Sequence, residues 1–181
     1  MGRVAAGLAG GAAMLAATLA MAADALSIKA FFGTYQGGGV SENRDSVYFS
    51  TTARDFDVTI GPAGEGFRIA WTSVLRRGGT PEKPEMRRNS AARTLSPTGR
   101  PGVYRCDDSG DPLAGDKVLC WARIGGRTLS MYLMAVNEDG VYELQQYDRT
   151  LSGSGMTLVF KSMRDGDELR TVTGQLVKTA K

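Results

Sequence analysis

Phe56-Asp57-Val58-Thr59-Ile60-Gly61-Pro62-Ala63-Gly64-Glu65-Gly66-Phe67-Arg68-Ile69-Ala70-Trp71-Thr72 decides the fold. Apolar Phe56, Val58 and Ile60 alternate with polar Asp57 and Thr59. Gly61 to Gly64 then turns the chain. Phe67, Ile69 and Trp71 resume the alternation. Period-two alternation places successive side chains on opposite faces of a strand, so this stretch is an antiparallel hairpin with one apolar face. Trp71 shares a face with Phe67 and Ile69 and reads as core.

The same pattern runs outward in both directions. Leu129, Met131, Leu133 and Ala135 alternate, as do Met156, Leu158 and Phe160. Turn chemistry separates the runs at Pro97–Gly102, Gly125-Gly126, Asn137–Gly140 and Ser152–Gly155. Asp165-Gly166 is the clearest hairpin signal, because Asp-Gly tolerates the left-handed backbone of a tight turn. Gly78–Pro84 reads as a loop, and Met86–Leu95 as an Arg-rich strand in an exposed position. Gly37-Gly38-Gly39 weakens the first strand and predicts a bend. Asp24–Phe32 reads as a short amphipathic helix that Gly33 ends. The total is about ten short strands joined by hairpin turns. That is an all-β, antiparallel up-and-down meander. Closure into an up-and-down β-barrel removes its edges and is the expected architecture; two packed sheets are the other solution. Charges at Asp55, Asp57, Arg68 and Lys161 on the second face argue against an outer-membrane barrel.

The chain begins with Arg3 before an uncharged Ala/Leu/Gly/Met-rich run to Leu19, then Ala20-Met21-Ala22. That three-part layout predicts a secretory signal over residues 1–22 and one domain over 23–181. As a retained anchor the run is barely long enough, and Ala and Gly dominate it. The expected location is a bacterial periplasm or the exterior. Cys106 and Cys120 bracket a turn-rich loop, and an oxidising compartment makes a structural disulfide the expected state.

The first strand, with its short helix leading into Gly33-Thr34-Tyr35, and the meander after it resemble the calycin superfamily of lipocalins and fatty-acid-binding proteins. Lipocalins open this strand with Gly-x-Trp, and an arginine from the last strand packs on the Trp. Tyr35 stands in the Trp position here, with Arg170 or Arg149 as its implied partner. The resemblance implies a cup for small apolar or amphipathic molecules.

Catalytic apparatus is sparse. The chain has no histidine, the commonest general base and transition-metal ligand. Asp55 and Asp57 read as the solvent side of a strand, and Asp107, Asp108, Asp111 and Asp116 as turn residues. The expectation is a non-enzymatic protein with no metal and no cofactor. The expected function is binding of a small apolar or amphipathic ligand. Tyr35, Trp121, Tyr132 and an inward arginine, Arg149 or Arg170, are the candidates for fixing the ligand's polar end. The alternative is an envelope scaffold that docks anionic lipid, polysaccharide or a partner protein. Arg76, Arg77, Arg87, Arg88 and Arg93 lie in one basic block with Lys83, Arg100 and Arg105, against only Glu82 and Glu85. Nucleic acid is not an expected partner.

Overall fold

The computed structural model describes residues 25–44, 50–80, 83–115 and 117–180, without the side chains of residues 50, 76–80 and 83–84. The expected signal segment and the side chains of Arg76, Arg77 and Lys83 lie outside the described residues, as do Glu82 and Asp116.

Among the described residues, ten antiparallel strands form one closed barrel. They are β1 (Gly33–Asn43), β2 (Ser50–Ala63), β3 (Gly66–Thr80), β4 (Lys83–Pro97), β5 (Val103–Cys106), β6 (Leu119–Gly125), β7 (Thr128–Val136), β8 (Tyr142–Leu151), β9 (Gly155–Arg164) and β10 (Asp167–Ala180). Every strand pairs with its sequence neighbours, and β1 pairs with β10 to close the ring. The expected N-terminal helix is a single 3-10 turn, Ile28–Phe31, with the Ser27 hydroxyl accepting from the Lys29 amide. Phe31 is buried at one end of the barrel, and the Tyr35 hydroxyl donates to its carbonyl at 2.9 Å.

The alternation fixes what faces in. Tyr35 lies opposite Val58, Val58 opposite Trp71, Met131 opposite Tyr147 and Tyr147 opposite Phe160. Directly paired residues share a face, so these side chains all enter the interior. Asp55 and Asp57 point out, and Gln36 Nε2 donates to Asp57 at 3.0 Å. No helix among the described residues is long and apolar enough to cross a membrane. The turn between β9 and β10 has positive φ at both Asp165 and Gly166, the geometry that Asp-Gly favours.

Two details differ from the sequence expectation. Residues 78–80 and 83–84 are not a loop: β3 and β4 continue past Leu75 as a two-stranded ribbon, pairing Gly79 with Pro84 and Thr80 with Lys83. Pro84 is tolerated because β4 has no described partner on its far side there, and proline is confined to such edges. The hairpin after β6 turns at Gly126-Arg127, with Gly125 still paired to Thr128.

The ring is not equally strong all round. β5 is the shortest strand and holds β4 through Leu95–Pro97 only and β6 through Val103–Arg105 only. Along 85–93 no strand among the described residues pairs with the far edge of β4. The disulfide Cys106–Cys120 joins β5 to β6 at this thin place, with both cysteines buried. Closing a loop of that length contributes about 3 kcal/mol in the chain-entropy model. Replacing both cysteines by Ala is therefore expected to lower the unfolding free energy by about that amount, read from urea denaturation. Amides of β5 should exchange fastest in the variant; unchanged protection there would contradict this placement of the weak seam.

Candidate functional site

The interior is filled at one end and hollow toward the other. Phe31, Tyr35, Ile60, Phe67, Ile69, Leu95, Leu129, Met131, Met156 and Leu176 pack into the solid end. A cavity of about 310 Å³ occupies the rest. That volume is at the small end of the roughly 300–1,000 Å³ typical of small-molecule sites.

Its walls combine two chemistries. Trp71, Tyr147 and Phe160 form a continuous aromatic cluster, with ring centroids 5.3 Å apart for Trp71–Tyr147 and 4.7 Å for Tyr147–Phe160. Phe56, Val58, Leu133, Leu158 and Val172 extend the apolar surface. Into this space come four arginines, Arg54 from β2, Arg93 from β4, Arg149 from β8 and Arg170 from β10. No carboxylate is among the described residues lining the cavity.

Among the described residues Arg149 is the largest fully buried side chain, at 1% exposure. It points inward because it alternates with Tyr147 and Leu151 and lies opposite Leu129 and Leu158. Its guanidinium lies 5.6 Å from the Trp71 ring centre and 5.4 Å from that of Tyr147. Its Nε and Nη1 have no hydrogen-bond partner. Burial lowers its pKa to about 10, opposed by Tyr147 and Asp148, so it remains a cation at neutral pH. Arg170 lies over the Phe160 ring at 5.2 Å, and its buried Nε also lacks a partner. Arg93 is less isolated: it donates to the Ala92 carbonyl and approaches Asp108 at 3.6 Å. A buried cation with unmade hydrogen bonds is costly. Aromatic faces recover a part of that cost.

Burial holds the Tyr147 phenol above its ordinary pKa, against the pull of Arg149, Arg170 and Arg93; burial alone raises Tyr35. A folded-state value above the unfolded one gives stability that is complete below about pH 10 and is lost as pH rises through the folded value. Alkaline titration by phenolate absorbance should therefore show late-ionising tyrosines, and Tyr147→Phe should remove one of them. Loss of an early-ionising phenol instead would contradict the buried environment.

The sequence candidates divide. Arg149 and Arg170 meet at the cavity. Tyr35 does not line it; it is core, and the cation over its ring is Lys178, at 5.5 Å, rather than either arginine. The register explains this, since Lys178 is the β10 partner of Tyr35 while Arg170 pairs with Asn43 at the far end of β1. Trp121 and Tyr132 stack at 4.9 Å on the outer face, because each sits one residue off the inward Cys120 and Met131. The basic block is not one face either. Arg87 and Arg88 are exposed on opposite sides of β4, and Arg93 enters the lumen. Trp71, read as core, is a cavity wall. Arg54 and Phe160 were legible as lumen residues by parity with Phe56 and Leu158.

The acidic loop is turn chemistry. Asp107 accepts from the Ser96 hydroxyl at 2.7 Å, and Asp111 from the Leu113 amide at 3.0 Å. No cluster of three or more metal-ligating side chains occurs among the described residues.

No family model matches the chain, and no curated protein does. Among solved structures it is similar to the crystal structure of a protein of unknown function from the DUF3598 family of Nostoc punctiforme, with 15% identity and a TM-score of 0.56. The match covers 91% of this chain and 54% of that one, so this chain spans about half the length of that protein. The likeness is one of fold.

Proposed function

We propose that this barrel is a binding module for a small amphipathic molecule, held in the lumen with its apolar part on Trp71, Tyr147 and Phe160 and its polar end at the inward arginines. The observation that carries this reading is Arg149, fully buried at the wall of a cavity of about 310 Å³ with two nitrogens, Nε and Nη1, unpartnered. A side chain that only filled space would be cheaper as a hydrophobe of equal volume. A guanidinium left in the wall is suited to orienting a ligand. The calycin-like layout of the up-and-down barrel fits the same use. Work in an oxidising compartment after loss of residues 1–22 fits the Cys106–Cys120 bridge.

The test uses the two tryptophans. In a Trp121→Phe variant Trp71 alone reports, and it faces the cavity. Titration with a naphthalene sulfonate dye is expected to change Trp71 emission with one-to-one stoichiometry. Protein from its own envelope should carry a small molecule in native mass spectrometry. Unchanged Trp71 emission together with a bare protein mass would overturn the proposal.

A further inference from the structure

We infer that the free edge of β4 is an interface with a second copy of this chain, the two β4 strands pairing antiparallel across a two-fold axis at Asn89. β3 holds one side of β4 along the whole of Glu85–Arg93, whereas β5 reaches the other side only at Leu95–Pro97. The Asp107 amide adds one bond to the Thr94 carbonyl. Past it the chain turns to the β6 side, with the Ser109 hydroxyl accepting from the Cys120 amide and the Gly110 amide donating to the Val118 carbonyl. Among the described residues nothing else bonds to the backbone edge from Glu85 to Arg93. Glu85 to Ser90 are all exposed. β2 leaves β3 at the Arg54–Leu75 pair, so beyond it β3 and β4 hold only each other among the described residues. A two-stranded ribbon is marginal by itself, and a further strand steadies it.

Charge selects the second copy and its register. Opposed residues of an antiparallel pair share a face, so across a two-fold axis odd positions meet odd and even meet even. An axis at Asn89 opposes Glu85 to Arg93, Met86 to Ala92, Arg87 to Ala91 and Arg88 to Ser90. It uses the open stretch from end to end. Unlike charges meet at Glu85 and Arg93, once on each side of the axis. Arg93 already approaches Asp108 at 3.6 Å, and a guanidinium has donors for two carboxylates. Met86, 60% exposed in the single copy, gains an apolar neighbour. The adjacent registers fail. An axis at Arg87 or at Arg88 opposes that arginine to itself, and one at Ser90 opposes Arg87 to Arg93. Like charges directly opposed destabilise a sheet. An axis at Ala91 leaves only 89–93 to pair, because β5 occupies Leu95–Pro97. The same arginines that blunt the edge against slipped pairing therefore leave one self-complementary alignment.

Sedimentation velocity of the oxidised protein over about a hundredfold range of concentration tests this. The expected result is a monomer that passes into a dimer as concentration rises. Glu85→Lys should weaken the dimer at least about tenfold, because both Glu85–Arg93 pairs become like-charged. Cysteine cross-linking reads the register. The chain's two cysteines are already bridged, so an introduced thiol is the free one. Asn89→Cys should link to its own copy under mild oxidation, since a residue on the axis lies about 4.5–5.5 Å from itself, within disulfide reach. Arg87→Cys alone should not link, but mixed with Ala91→Cys it should. A protein that stays monomeric throughout would overturn the inference. A monomer that instead binds an extended Glu-rich peptide would also overturn it, by assigning the edge to a foreign strand. A Glu85→Lys dimer as tight as the parent's would move the interface off this edge. Arg87→Cys linking to itself as readily as Asn89→Cys would overturn the axis. The unmodified protein's concentration dependence decides self-association even if a variant fails to fold.

Discussion

Gly39→Ala is expected to unfold the barrel at its closing seam, at a cost above about 4 kcal/mol, while Gly38→Ala is expected to be neutral or slightly stabilising. The difference is one of space. Gly39 faces inward where β1 meets β10, and a Cβ there would lie 2.1 Å from the Thr173 carbonyl oxygen and 2.7 Å from the Gly174 Cα. Gly37 is the same case, 1.9 Å from the Gln175 oxygen. These obstacles are backbone atoms of the strand that closes the ring, so relief requires β10 to move away from β1. Gly38 faces outward, and its nearest neighbour, the Arg54 oxygen, is 3.5 Å away, an ordinary contact. Adding a methyl group there only reduces the freedom of the unfolded chain, worth about 0.4–1 kcal/mol. Urea denaturation followed by circular dichroism would separate the two variants. A Gly39→Ala protein within about 1 kcal/mol of the parent would show that the seam yields more easily than its geometry implies.

Arg149→Met should move stability and binding in opposite directions. The substitution removes two cation–π contacts, each worth about 0.5–2 kcal/mol. It also removes the desolvation of a fully buried cation, several kcal/mol in real proteins, which the unpartnered Nε and Nη1 do not recover. Desolvation is the larger quantity, so the expected net is a gain of about 1–3 kcal/mol and a higher melting temperature. Affinity for the anionic naphthalene sulfonate dye should fall by about two orders of magnitude, as expected when one partner of a desolvated charge pair is removed. A variant that melts lower than the parent would show that Arg149 is held for structure rather than for a ligand. That result would count against the lumen reading itself.

The strands were legible because alternation runs nearly unbroken from Phe56 to Leu176, and the Asp165-Gly166 turn was legible from its residue pair alone. The cavity was less so, for a physical reason. Parity says which side chains enter a barrel but not how far they fill it. Trp71 alternates with Phe67 and Ile69 yet borders open space, because β8 supplies Arg149 and Tyr147 against it rather than compact aliphatics. Strict use of parity would have excluded Trp121, between Cys120 and Ala122, and Tyr132, between Met131 and Leu133. It would also have brought in Arg54 and Arg93, which share faces with Phe56 and Leu95. In β8 the pattern itself is ambiguous. Gln145, Tyr147 and Arg149 point in while Leu144 and Gln146 point out, so polarity alone does not distinguish the faces.

The bridge at the narrow β5 join has a bearing on where the chain can mature. Synthesised among thiol reductants, it would lack the one covalent tie across a join of three residue pairs on either side. A cylinder that parts there becomes a ribbon with two bare margins, each ready to zip onto another molecule of its kind. Chains held under reducing conditions should accordingly accumulate as insoluble clumps, and an oxidant acts as the latch that seals each copy separately.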